Sequence, residues 1–211
     1  MDKILVIGAS GKIGKKLVKQ LAQEGQTVRA MVRTAEKQQE IDGYDAEVVI
    51  GDLEGAFEHA LEGCDTIIFT AGSGGHTGAD KTLLVDLWGA MKVIDCAVEN
   101  SIRHFIMVSS RGADNPENGP VAIKYYLVAK HVADDYLTRS GLTYTILRPG
   151  RLLDEPGTGL ITTLRPADPN QQIISRDDTA QAVIHCLHNA ATDNKIFELY
   201  RGDVPIAEAL R

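Results

Sequence analysis

The chain has 211 residues, 44% hydrophobic and 24% charged, an ordinary balance for one globular domain with a substantial core. Its 22 basic and 29 acidic residues give a net charge of -7, and no basic run interleaved with aromatics occurs, so nucleic acid is not an expected partner. No apolar run approaches the roughly 18–20 residues of a membrane span, and Met1 leads within three residues into a strand-like run, so neither an anchor nor a signal peptide is expected.

Residues 3–7 (KILVI) read as a strand. Residues 12–24 read as a helix with Ile13, Leu17, Val18 and Leu21 on one face, stopped by Gly25. Strands follow at 27–32 (TVRAMV), 46–50 (AEVVI) and 65–70 (DTIIFT), with short helices at 35–42 and 54–61 between them. The longest helix runs about 80–99, with Leu83, Leu84, Leu87, Met91, Ile94 and Val98 as its expected apolar face. A fifth strand at 103–108 leads through a Gly-, Pro- and Asn-rich loop (112–120) to a helix at 122–139 and a strand at 143–147. Residues 151–172 hold three prolines and two glycines, which suits loops and one short strand. Helix 177–190, strand 195–200 and a short terminal helix close the chain.

Most of these strands are continuous apolar runs that alternate with helices, which implies an α/β architecture with a parallel sheet covered on both faces. The loop after the first strand sharpens this. In ILVIGASGKIG, Gly8, Gly11 and Gly14 stand three apart and open a helix. That order builds a phosphate cradle: Gly8 for the tight turn, Gly11 for close approach of a pyrophosphate, Gly14 for helix–strand packing. Ser10, Lys12 and Ile13 fall within the cradle. The expected fold is a doubly wound, Rossmann-type dinucleotide-binding domain spanning 1–211, with 150–211 forming most of a small substrate-pocket region. Ligands of such a fold sit at the carboxyl ends of the strands.

The second strand ends Val32-Arg33-Thr34, where an NAD-preferring site would carry an acid, and the nearest one, Glu36, lies beyond. The Arg33 guanidinium attracts a 2′-phosphate that an acid would repel, so NADP is expected rather than NAD. Asp52 and Leu53 follow the third strand; Asp52 either accepts from the adenine amino group, with Leu53 on the ring, or caps the next helix. Ala71 and Gly72 end the fourth strand without bulk and leave room for a ribose. The glycine-rich stretch 72–78 could close over the site; its His76 is either an acid–base group or a solvated loop residue.

Ser109 and Ser110 end the fifth strand, and Tyr126 and Lys130 share one face of the following helix. Carbonyl reduction needs a proton donor beside the hydride donor. A phenol titrates near 10, and a neighbouring ammonium favours the phenolate. Tyr126 is thus the expected acid, Lys130 its tuner and a ribose ligand, and Ser109 or Ser110 the group that holds the substrate oxygen. Tyr125 is a competing phenol at the wrong spacing from Lys130.

Nearly the whole chain resembles the short-chain dehydrogenase/reductase superfamily, in particular its atypical NAD(P)H-binding branch of biliverdin/flavin-reductase-like and NmrA-like proteins. The resemblance rests on VIGASGKIG (6–14), Arg33, GDL (51–53), TAG (70–72), VSS (108–110), Tyr126-x-x-x-Lys130 and SGLTYTILRPG (140–150). It implies that Arg148, Pro149 and Gly150 border the nicotinamide and substrate pocket. It also implies that the segment 174–183 starts a helix near that pocket, with Asp177 or Asp178 as a cap. The serine-to-tyrosine separation is longer than in ordinary short-chain enzymes, and the carboxyl-terminal part is short for sugar-nucleotide-modifying relatives. The expected function is NADP-dependent reduction of a small carbonyl, flavin or quinone-like acceptor. The alternatives are a non-catalytic NADP(H) redox sensor and an NAD-dependent sugar-nucleotide epimerase or dehydratase. Cys64, Cys96 and Cys186 match neither a metal spacing nor a disulfide framework, which suits reduced thiols in the cytoplasm. An oligomer is possible but not readable, because the sheet explains the apolar helix faces equally well.

Overall fold

Short apolar runs buried on both faces need hydrogen-bonding neighbours along both edges. The computed structural model, which describes residues 2–75 and 77–211, supplies them in a nine-stranded sheet. Its strands are β1 (Lys3–Ile7), β2 (Thr27–Val32), β3 (Glu47–Ile50), β4 (Thr66–Phe69), β5 (His104–Val108) and β6 (Tyr144–Pro149), then β8 (Leu160–Thr162), β10 (Lys195–Arg201) and β11 (Val204–Pro205). A separate parallel pair joins β7 (Arg151–Leu153) to β9 (Ile173–Ser175).

Seven strands run parallel in the order β3-β2-β1-β4-β5-β6-β10, and β8 and β11 continue the sheet antiparallel. The chain reverses its direction of travel between β1 and β4, and such a switch opens a crevice at the carboxyl ends of the strands. The 150–211 segment is continuous with this sheet, because β10 pairs with β6 from Lys195↔Thr145 to Leu199↔Pro149.

The helices are α1 (Lys12–Gln23), α2 (Ala35–Gln38), α3 (Ala79–Lys81), α4 (Ala90–Glu99), α5 (Lys124–Arg139), α6 (Arg176–Leu187) and α7 (Ile206–Ala209). Alternate strand residues face opposite sides. Ile4, Val6, Ile68 and Ile106 pack with Leu17 of α1 and Val183 of α6. Leu5, Ile7, Ile67 and Phe105 pack with Val93 of α4 and Leu137 of α5. This covering of both faces is the expected doubly wound arrangement.

The predicted apolar face of helix 80–99 is corrected by the structure. Thr82–Gly89, between α3 and α4, is a π-helix, in which each turn takes in an extra residue. The phase therefore slips: Thr82, Asp86 and Gly89 face inward, while Leu83 (57% exposed), Leu84 and Trp88 face outward. Val98 is also exposed, and of the expected stripe only Ile94 is fully buried. The 54–61 helix shrinks to a 3₁₀ turn at Glu58–Leu61. The 35–42 helix is one turn, and the 151–172 stretch holds two short strands rather than one.

Candidate active site

The cradle is built from steric necessity. Gly8 has φ +84, and a Cβ there would lie 2.7 Å from the Ala71 amide nitrogen. A Cβ on Gly14 would collide with the Gly8 carbonyl, so glycine is what lets α1 lie against β1. The Gly11 N–H closes the turn onto Gly8 O at 2.9 Å. Gly11 is also the N-cap of α1, and no side chain caps this end, so first-turn amides are left to bind an anion.

Beside the cradle lies a cleft of about 340 Å³. Gly8, Ser10, Gly11, Arg33, Asp52, Leu53, Ala71 and Gly72 all line it, and so does Lys37. Arg33 is exposed and, among the described residues, makes no ion pair. Asp52 accepts the Glu54 N–H at 3.0 Å, so it shapes a turn; the following 3₁₀ segment is capped at Phe57 instead. Ile13 is buried in the core, and Lys12 is turned to Asp154 at 2.5 Å. Pro149 ends β6, and Gly150 is packed so closely that a Cβ would lie 2.5 Å from Gln172 O. His76 lies outside the described residues.

The Ser–Tyr–Lys group is assembled differently from expectation. Ser109 is buried and donates to Asp134 Oδ2 at 2.9 Å, while Ser110 Oγ donates to Arg111 O at 3.2 Å and is the serine whose hydroxyl favours the ionised Tyr126 phenol. Lys130 is 1% exposed and donates to Val108 O at 3.1 Å. The groups that set the Tyr126 phenol are others than this ammonium. Burial pushes the Tyr126 phenol up to about 12, Asp86 and Asp134 raise it further, and Ser110 opposes them. Lys130 instead compensates Asp134, together with Arg148, whose Nε donates to Asp134 Oδ2 at 2.9 Å. Burial nonetheless dominates and raises the Asp134 carboxyl.

Two buried carboxylates, Asp134 and Asp86, gave no reading in the sequence. Asp134 lies four residues beyond Lys130 on the buried face of α5, a spacing that could have flagged it. Asp86 gave no such signal, because an α-helical phase would have placed leucines inward. Asp86 is 2% exposed, and its Oδ2 accepts the Ser73 N–H at 2.9 Å.

On the far side of the site, the loop after β5 and the 163–172 segment are tied together. Arg165 pairs with Glu198 and with Asp114 (2.7 Å), and Arg111 pairs with Gln172. The cap of α6 is Ser175, not Asp177 or Asp178. Asp178 accepts the Thr158 and Gly159 amides, and Asp177 pairs with Lys16 at 2.5 Å.

A glycine cradle at the switch point of a doubly wound sheet defines a dinucleotide-binding protein. The chain belongs to the NAD(P)H-binding family, which it matches over residues 8–190. It is similar to the Bacillus subtilis protein named "Uncharacterized sugar epimerase YhfK", at 51% identity over 99% of both chains. It is also similar to sanguinarine reductase of Eschscholzia californica, at 29% identity over 99% of this chain and 92% of that one. Among solved structures, a Bacillus halodurans protein provisionally named an NAD-dependent epimerase/dehydratase superposes with a TM-score of 0.94, at 43% identity and 100% and 99% coverage. ChuY of Escherichia coli O157:H7, described as an anaerobilin reductase, gives 0.78 at 27% identity, with 96% and 98% coverage. No described helix is long and apolar enough to cross a membrane.

Proposed function

We propose that this protein is an NADPH-dependent oxidoreductase that reduces a small carbonyl, flavin or quinone-like acceptor. The residues present fit the cofactor: the glycine cradle leaves no room for side chains, and the α1 amides are uncapped. Gly8, Ser10, Gly11 and the start of α1 (Lys12, Ile13, Gly14) would hold the diphosphate. Arg33, with Lys37 beside it in the cleft, would take a 2′-phosphate. Asp52 and Leu53 would meet the adenine, Ala71 and Gly72 the ribose, and Lys130, Pro149 and Gly150 the nicotinamide end. The bound cofactor supplies the hydride.

Tyr126 carries the reading of direction. Its phenol, raised to about 12, keeps its proton at neutral pH and serves as a donor to a developing oxyanion, with Ser110 orienting the same oxygen. An epimerase or dehydratase must first oxidise an alcohol, which calls for a phenolate base. Burial and two carboxylates oppose that state. The reductase names among the relatives support the same direction.

The test is NADPH oxidation against flavins, quinones, aldehydes and ketones, with Tyr126→Phe alongside. Turnover of a carbonyl that the variant loses is the expected result. NADPH that binds but reduces none of the panel, with dialysis-resistant NAD in the purified protein, would overturn the reading in favour of an epimerase.

A further inference from the structure

The π-helix runs against the ordinary logic of burial. Keeping α-helical phase would have offered Leu83, Leu84 and Leu87 to the interior; instead Leu83 and Leu84 face solvent while Thr82 and Asp86 are buried. Turning leucines out and a carboxylate in costs stability, so a local rule is broken where a functional site is expected. π-Turns inside helices frequently mark such sites.

The inward side chains of this segment converge on one place. Asp86 Oδ2 accepts the Ser73 N–H, and Thr82 Oγ1 lies 3.3 Å from Ser73 Oγ. The other oxygen, Oδ1, lies so close to Gly72 that a Cβ there would sit 3.0 Å from it. Gly72, Ser73 and Val85 all line the cofactor cleft. On its other side the π-helix packs along α5, which carries Tyr126.

We propose that Asp86 is a positioning residue of this site: its carboxylate pins the Gly72–Ser73 turn at the mouth of the cofactor cleft and sets a negative charge against the Tyr126 side chain. The π-helix that carries Asp86 packs along α5, which carries Tyr126; Asp86 and, from α5 itself, Asp134 disfavour the ionised phenol, Ser110 from the loop after β5 opposes them, and Lys130 is turned to Val108 O. Asp86 thus couples the loop that meets the cofactor to the residue that donates the proton. The assignment of that proton rests on the reductase reading; the coupling does not.

The experiment separates charge from anchoring without needing turnover. Asp86→Asn keeps an oxygen for the Ser73 N–H and loses the charge, whereas Asp86→Ala loses both. Tyrosinate absorbance is titrated in each protein, with a Tyr126→Phe counterpart subtracted to isolate Tyr126, and NADPH affinity is measured by fluorescence. Asp86→Asn is expected to lower the Tyr126 titration by about one pH unit or more while holding NADPH affinity within about threefold. Asp86→Ala is expected to lower the titration likewise and weaken NADPH about tenfold or more. A Tyr126 titration unmoved by Asp86→Asn, or NADPH affinity equal in both variants, would overturn the inference. If the titration and affinity move as expected but no acceptor is reduced, the coupling stands and the reductase reading fails.

Discussion

The Ser109 hydroxyl donates to Asp134 at 2.9 Å, and this bond divides the labour between two adjacent serines. Ser109 satisfies a buried carboxylate that also receives Arg148, while Ser110 stays out of that cluster, donating to Arg111 O at 3.2 Å on the Tyr126 side. Ser109→Ala is therefore expected to destabilise the fold by about 1–3 kcal/mol, the cost of leaving a buried acceptor short of a donor. Ser110→Ala should leave stability nearly unchanged and depress kcat. Denaturant unfolding and steady-state rates on the two variants check this; the reverse pattern would exchange the two roles.

Arg33 lines the cofactor cleft and faces solvent with no ion pair among the described residues. Arg33→Ala should weaken NADPH by about 1.5–3 kcal/mol, the range of a charge-assisted hydrogen bond, and change NADH little. Titration of both nucleotides against wild type and variant reads this directly, and equal losses for the two would refute a 2′-phosphate contact.

Gly14 is held to glycine by packing. A methyl group there meets the Gly8 carbonyl, and because the obstacle is backbone, neither side can yield without moving α1 or the cradle. Gly14→Ala is expected to destabilise by about 1–3 kcal/mol or more, and NADPH affinity should fall with it. Thermal unfolding with and without NADPH would show both effects.

His104 sets an acid limit. It is 13% exposed, its Nε2 lies 3.0 Å from Thr145 Oγ1, and burial lowers its pKa below 6.5, with Asp193 opposing weakly. The folded state therefore binds fewer protons than the unfolded one just below 6.5, so the histidine's contribution is present above that pH and is lost as pH falls. Wild type should lose more thermal stability than His104→Gln between about pH 7 and pH 5. Parallel losses would assign the acid limit elsewhere.

How legible these features were depends on what each residue answers to. Strands β1 and β2 appear at the residues read from their apolar runs, because burial on both faces leaves an unbroken signal. The glycine cradle was equally plain, since only glycine tolerates its contacts. The π-helix was not, because hydrophobic periodicity presumes a fixed number of residues per turn, and Leu83, Leu84 and Leu87 fit the wrong number. Tyr126 and Lys130 were found by spacing, but their relation was not: the ammonium donates to Val108 O and offsets the charge of Asp134 one turn along the same helix, and Asp134 is paired with Arg148 arriving from β6. The two- and three-residue strands after Gly150 are too short to show any period.

The outermost strand of the sheet is only Val204–Pro205, laid against Leu160–Ile161. Proline has no amide hydrogen to offer a further strand, so the sheet stops growing on that side. Removing the last nine residues would strip this stopper and leave β8 as a bare template on which a second copy can lay a strand.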